Sequence, residues 1–312
     1  MKRKTFAGYG RTATLVLATA VCVLGLSGQA AGQPVQMTPA EGGLKACLDC
    51  HDNHRVRGIL GGPHFVGADP RTPAANAACE ACHGPSHEHT LYPTRVSSIG
   101  FGKGSLLYPE DQNKQCLNCH QGDHILWANS THAAEDLACV SCHKLHTRKD
   151  AVLSRLTLAT VCFDCHQRER MEINKPYRHP VREAAITCTN CHDAHGSNGP
   201  AMLVKLSNNE TCYQCHAEKR GPFVHEHEPV QDDCMNCHTP HGSNHENLLI
   251  ARAPFVCQQC HSDHSHPREA YDFEDLPGGT GSRQNRVIGG ACVNCHSNIH
   301  GSNRPGSRSF RQ

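Results

Sequence analysis

One stretch of the chain stands out by its hydropathy. An apolar run over residues 12–26 follows Lys2, Arg3 and Lys4 and leads into the small residues Gly28, Ala30 and Ala31. Basic, then apolar, then small is the order of an export signal, so residues 1–30 are expected to be removed, with cleavage near Ala31. Cys22 would be discarded with them. The run is about 15 residues, short of the roughly 20 that span a bilayer, and no later stretch is apolar enough to try. Residues 31–312 are therefore expected to act outside the cytoplasm with no membrane span of their own. Beyond the signal, 27 Gly and 18 Pro interrupt nearly every run that could become an element. The pattern predicts a mostly irregular chain with short α-helices and little or no β. Its plainest helix is expected over residues 159–171.

Composition sharpens that picture. A chain of this length would ordinarily bury one or two apolar cores, but aromatics are only 5% and 26 residues are His. Something other than side chains must supply the core. Removing Lys2, Arg3, Lys4 and Arg11, with no acid among residues 1–30, takes the formal charge from +1 to −3. A concentrated basic face of the kind that binds nucleic acid is absent.

Twenty of the 21 cysteines fall in ten copies of Cys-x-x-Cys-His. The copies are Cys47, Cys50 and His51; Cys79, Cys82 and His83; Cys116, Cys119 and His120; Cys139, Cys142 and His143; and Cys162, Cys165 and His166. They continue with Cys188, Cys191 and His192; Cys212, Cys215 and His216; Cys234, Cys237 and His238; Cys257, Cys260 and His261; and Cys292, Cys295 and His296. Zinc sites and disulfides also use paired cysteines, but neither requires a His after the second Cys in every copy. Covalent attachment of haem c does. The two thiols add to the vinyl groups, and the following His is carried beneath the macrocycle to bind iron. Ten haems would then form the core, with the chain wrapped around them, and the apo-chain would be largely unfolded.

The motifs alternate in kind, which divides the chain into five two-haem units. The second motif of a unit has a His a few residues downstream: His146, His195 and His241 at one tight spacing, His89 and His300 at looser ones. Between the two motifs of each unit lies at least one further His: His64, His132, His179, His225 or His227, and His264 or His266. His132 and His227 both stand seven residues before the next motif, which favours His227 over His225. The count gives ten second ligands for ten irons, leaving His54, His87, His124, His225, His245 and His264 spare, with His124 the rival of His132 and His54 of His64. A His three residues after a proximal one is not expected to reach back to the same iron. Six-coordinate iron with both axial positions filled suits electron transfer rather than catalysis, so the chain is expected to be no enzyme. Five units in series suggest a linear array of haems.

Residues 139–242 resemble the MtrA/DmsE family of periplasmic decahaem cytochromes. The resemblance rests on His179-Pro180, on CTNCHDAHGS from Cys188 to Ser197, on TCYQCHAEKRGP from Thr211 to Pro222, and on CMNCHTPHGS from Cys234 to Ser243. It extends to CVNCHSNIHGSN from Cys292 and to CEACHGP from Cys79, covering nearly the whole mature chain. The resemblance implies a bis-His ligand set of His64, His89, His132, His146, His179, His195, His227, His241, His266 and His300. It also implies an electron conduit held inside an outer-membrane porin-like β-barrel, fed by periplasmic carriers, with an extracellular multihaem cytochrome as a further partner. A soluble periplasmic shuttle, or a donor subunit to a terminal reductase, is the alternative.

Overall fold

A computed structural model describes residues 41–122, 124–261, 292–294, 296–305 and 310. The expected signal over 1–30 lies outside the described residues, as do Cys295 and His266. Short α-helices and 3-10 turns separated by irregular chain make up the described residues, which contain no strand. The longest helix, Pro109–His120, has 12 residues; Pro sits in its first turn, where a missing N–H costs nothing, with Glu110 and Asp111 at its positive end. The helix expected over 159–171 is instead two, Leu158–Cys162 and Gln167–Glu172. The attachment motif breaks it: His166, at φ −85° and ψ 66°, leaves the helical region so that its ring can turn away from the helix axis.

Each attachment motif is one helical turn. The His N–H donates to the carbonyl of the first Cys, four residues back, at 2.9 Å in His83, His143, His166 and His192 and at 3.0 Å in His216, His238 and His261. One turn is what the chemistry needs, since it places both thiols and the His on one side of the chain.

Side chains pack sparsely between these turns. Among the described residues the buried hydrophobic ones are Ala138, Ile173, Leu203 and Val256, and no large side chain is fully buried. Polar clamps do more of the local holding. Asn113, three residues before Cys116, accepts from the Cys139 N–H at 2.7 Å and donates to the Leu137 carbonyl at 3.1 Å. Asn209, three residues before Cys212, accepts from the Cys234 N–H at 2.7 Å and donates to Val230 and Gln231. Both are buried, and each ties the first motif of its unit to the second.

A second repeated device follows the later motifs. After His192 and after His238 the chain loops back to form an isolated antiparallel bridge, His192 with Leu203 and His238 with Leu249. Both loops hold two successive non-glycine residues in the left-handed region, Ala201 and Met202 in one and Asn247 and Leu248 in the other. Such pairs are costly. Here they turn a carbonyl toward the motif His: His192 Nδ1 donates to Ala201 O at 2.9 Å and His238 Nδ1 to Asn247 O at 2.8 Å.

Candidate haem-ligand pairs

The rings of the expected proximal and distal histidines meet in pairs. Ring centres are 6.1 Å apart for His51 and His89, 6.0 Å for His64 and His120, 6.0 Å for His83 and His146, and 6.1 Å for His132 and His166. They are 6.1 Å apart for His143 and His195, 6.3 Å for His179 and His216, and 6.2 Å for His192 and His241. His227 and His261 stand at 6.1 Å, and His238 and His300 at 6.2 Å. Nine pairs thus fall within a few tenths of an ångström of one another. That spacing is chemically specific. A metal–imidazole bond of about 2 Å on either side, with a little over 1 Å from each nitrogen to its ring centre, puts two trans imidazoles roughly 6 Å apart. The donor set and its separation therefore fit an iron between each pair.

His124 also lies 6.2 Å from His120. It is only four residues further along, and at most about 14 Å of chain cannot pass round a macrocycle to its other face. His64 approaches His120 from a different unit. His124 packs instead on the His195 ring at 4.0 Å. His227 rather than His225 pairs with a motif His; the His225 backbone forms a bridge to Ser302. His296 is described, whereas the expected second ligand His266 lies outside the described residues.

The pairing crosses unit boundaries in a regular way. The His between the motifs of one unit reaches forward to the first motif of the next: His64 to His120, His132 to His166, His179 to His216 and His227 to His261. The downstream His of a unit reaches back to the second motif of the unit before: His146 to His83, His195 to His143, His241 to His192 and His300 to His238. The first unit has nothing behind it, and its downstream His89 closes on its own His51.

Forward and backward ligands are joined at the last three of the four junctions. His132 Nδ1 donates to Ala194 O at 2.9 Å, His179 Nδ1 to Pro240 O at 2.7 Å, and His227 Nδ1 to Ile299 O at 2.9 Å. Each acceptor immediately precedes the backward His of the next unit. A carbonyl can only accept, so Nδ1 carries the proton and Nε2 keeps the lone pair that a metal needs. Two backbone bridges brace the last two of these junctions, Tyr177 with Ser243 and His225 with Ser302.

Close approach at these junctions explains a recurrent tripeptide. His195, His241 and His300 are each followed by Gly and Ser. A Cβ on Gly196, which has φ +115°, would lie 2.6 Å from the Leu126 carbonyl oxygen. One on Gly242 would overlap the Glu172 carbonyl, and one on Gly301 would overlap the Phe223 ring. Where Thr147 follows His146 instead, the glycine is on the facing chain: a Cβ on Gly58 would meet the His146 carbonyl oxygen at 2.6 Å.

The thiols report the order of the motifs in space. Within a unit the first thiols of the two motifs are neighbours: Cys47 with Cys79, Cys116 with Cys139, Cys162 with Cys188, Cys212 with Cys234, and Cys257 with Cys292. Between units the second motif lies near the first motif of the next, as Cys82 to Cys116, Cys142 to Cys165, Cys191 to Cys212, and Cys237 to Cys260. Burial, ahead of the neighbouring thiol, pushes Cys47 and Cys257 up to about 11. Burial also lowers His64, His146 and His195 below the ordinary imidazole value. It takes His300 down to about 4, with Lys219 adding to the effect. Those four rings stay neutral near pH 7, the only form that can ligate.

Comparison with known proteins agrees with this chemistry. A doubled CXXCH motif model matches residues 179–221 and 227–266, and a model of NrfB-like c-type cytochrome proteins matches residues 79–158. The chain is 45% identical to the multiheme cytochrome MtrA of Shewanella baltica over 85% of its own length and 80% of that protein. It is 29% identical to the c-type protein NrfB of Escherichia coli over 47% of its length and 77% of the relative. Similarity to the polyheme cytochrome OmcB of Geobacter sulfurreducens is 24% over 56% of the chain and 25% of that protein.

Proposed function

Because the chain belongs to the MtrA family of multihaem c-type cytochromes, we propose that it conducts electrons between periplasm and cell exterior through ten bis-His haems, seated inside an outer-membrane β-barrel. Electron transfer and covalently bound haem c follow from the family and from the doubled attachment motif. Once bound, haem c supplies a one-electron iron couple. The residues do the rest. Paired thiols would fix each macrocycle, and paired imidazoles would ligate its iron, which suits electron transfer rather than substrate binding.

The nine ring pairs at 6.0–6.3 Å carry this reading. In motif order, His51 and His89 hold the first haem, His83 and His146 the second, His120 and His64 the third, and His143 and His195 the fourth. His166 and His132 hold the fifth, His192 and His241 the sixth, His216 and His179 the seventh, His238 and His300 the eighth, and His261 and His227 the ninth. By count, His296 and His266 are the ligands left for the tenth.

No helix among the described residues is long and apolar enough to cross a membrane. A polar chain that works across lipid needs an enclosing wall, and a large β-barrel offers a polar lumen. Periplasmic carriers would serve one end, and an extracellular multihaem cytochrome the other. Reconstitution with its barrel partner in liposomes loaded with a redox dye is expected to let an external reductant reduce the dye, whereas barrel-only and cytochrome-only liposomes should not. Dye that stays oxidised with both proteins present contradicts the conduit and leaves a soluble periplasmic shuttle.

A further inference from the structure

The ligand pairs differ in what holds their Nδ1 atoms. His83, His89, His132, His179, His192, His227 and His238 each donate to a backbone carbonyl. His143 does not. Its Nδ1 donates to the Asp150 carboxylate at 2.7 Å, and the Asp150 side chain is only 8% exposed. In the two following units the loop after the second motif presents a left-handed backbone carbonyl at this place, from Ala201 and from Asn247. Asp150 is fixed from its other oxygen by the Lys144 and Val152 N–H groups, at 3.3 and 3.4 Å, so it caps the turn Ala151–Leu153 while facing the ring.

Resting on the ligand reading above, we infer that Asp150 is a positioning and tuning residue that makes the fourth haem the lowest-potential site in the array. A carboxylate on Nδ1–H draws the ring proton toward itself and leaves Nε2 a stronger donor than a peptide carbonyl would. A stronger donor, with a negative charge behind it, favours the more positive oxidation state of the iron it binds. Burial keeps that charge poorly screened.

Three other carboxylates near ligands are weaker; Glu218 stands 3.9 Å from His216, but it is 62% exposed and Lys219 lies 3.8 Å from it. Glu172 reaches His241 at 3.2 Å, but Arg168 holds its second oxygen at 3.2 Å and offsets the charge. Glu169 stands 3.7 Å from His166, whose side chain is 52% exposed. On the far face of the fourth haem Asp193 lies 3.8 Å from His195, which adds to the effect of Asp150. An electron passing the fourth position therefore climbs and then descends, one electron in and one out with no proton or group transferred. The haems on either side would equilibrate among themselves faster than across it.

Asp150→Asn in the full-length holo-cytochrome tests this. It keeps the shape and an acceptor oxygen but removes the charge. A potentiometric titration of the wild type should show a lowest-potential step of one haem, and Asp150→Asn should shift that step upward by at least tenfold in its reduction equilibrium, about 59 mV for one electron. Asp150→Glu should restore the shift in large part. Asp111→Asn, which removes an exposed carboxylate paired with Lys114, should leave the step in place. Low-spin iron in the wild type checks the ligand reading separately. A lowest step that does not move in Asp150→Asn overturns the inference. So does loss of low-spin iron in that variant, which would make Asp150 a structural anchor alone.

Discussion

Replacing His195 with Ala is expected to convert one haem, the fourth, from low-spin to high-spin iron, although His195 belongs to the unit that attaches the fifth and sixth. The His195 ring faces His143 at 6.1 Å, while the sixth motif's His192 already faces His241 at 6.2 Å. The high-spin signal should account for one iron per chain by electron paramagnetic resonance. Its location is checked by removing haems. Adding Cys139→Ala and Cys142→Ala, which abolish attachment of the fourth haem, should erase the new signal. Adding Cys188→Ala and Cys191→Ala, which abolish the sixth, should leave it. The opposite pattern would mean that ligands stay within their own unit. A changed iron at position four would also slow conduction, because among the described residues the thiols of that motif stand between those of the third and the fifth.

Gly242→Val should do wider damage than any single ligand loss. Gly242 lies against the Glu172 carbonyl, where no side chain fits without moving the chain. Displacing it takes His241 from His192, breaks the Tyr177–Ser243 bridge, and pulls Pro240 from under His179. Two haems, the sixth and seventh, then lose a ligand or its orientation. Overpacking costs about 1–3 kcal/mol, and each lost hydrogen bond about 1 kcal/mol more. The expected readout is two high-spin irons and a lowered melting temperature. Gly100→Val serves as the control, since an added Cβ there meets nothing within 4 Å. A Gly242→Val protein with unchanged spin state and melting would show that the junction tolerates separation.

These two expectations mark where sequence stopped and structure began. Covalent attachment fixes a five-residue spacing, so the ten motifs and their grouping in twos are plain in the chain itself. The histidines outside the motifs can be counted there too, enough for a second ligand at each motif. The partners were not legible. His132 pairs forward across 34 residues with His166, and His195 pairs back across 52 with His143; no local pattern encodes which face of which haem a ring meets. The His-Gly-Ser tripeptides were visible as a repeat, but their reason, a backbone touching the preceding unit, needs that unit in place.

The broken helix has a similar origin. Residues 159–171 have helical propensity, yet the Cys165–His166 step must leave the helix for the ring to face His132. Asp150 carried no sequence signal, because it stands seven residues after its motif His, where the equivalent carbonyls of Ala201 and Asn247 stand nine after theirs.

All of this depends on both axial faces being closed at every iron. Near-infrared magnetic circular dichroism of the oxidised, intact protein, scaled to its total haem, measures that directly. The ligand pairs predict ten haems per chain, all low-spin with bis-imidazole charge-transfer bands. A band from high-spin iron, or from a His–Met pair, at the intensity of even one haem would contradict the account.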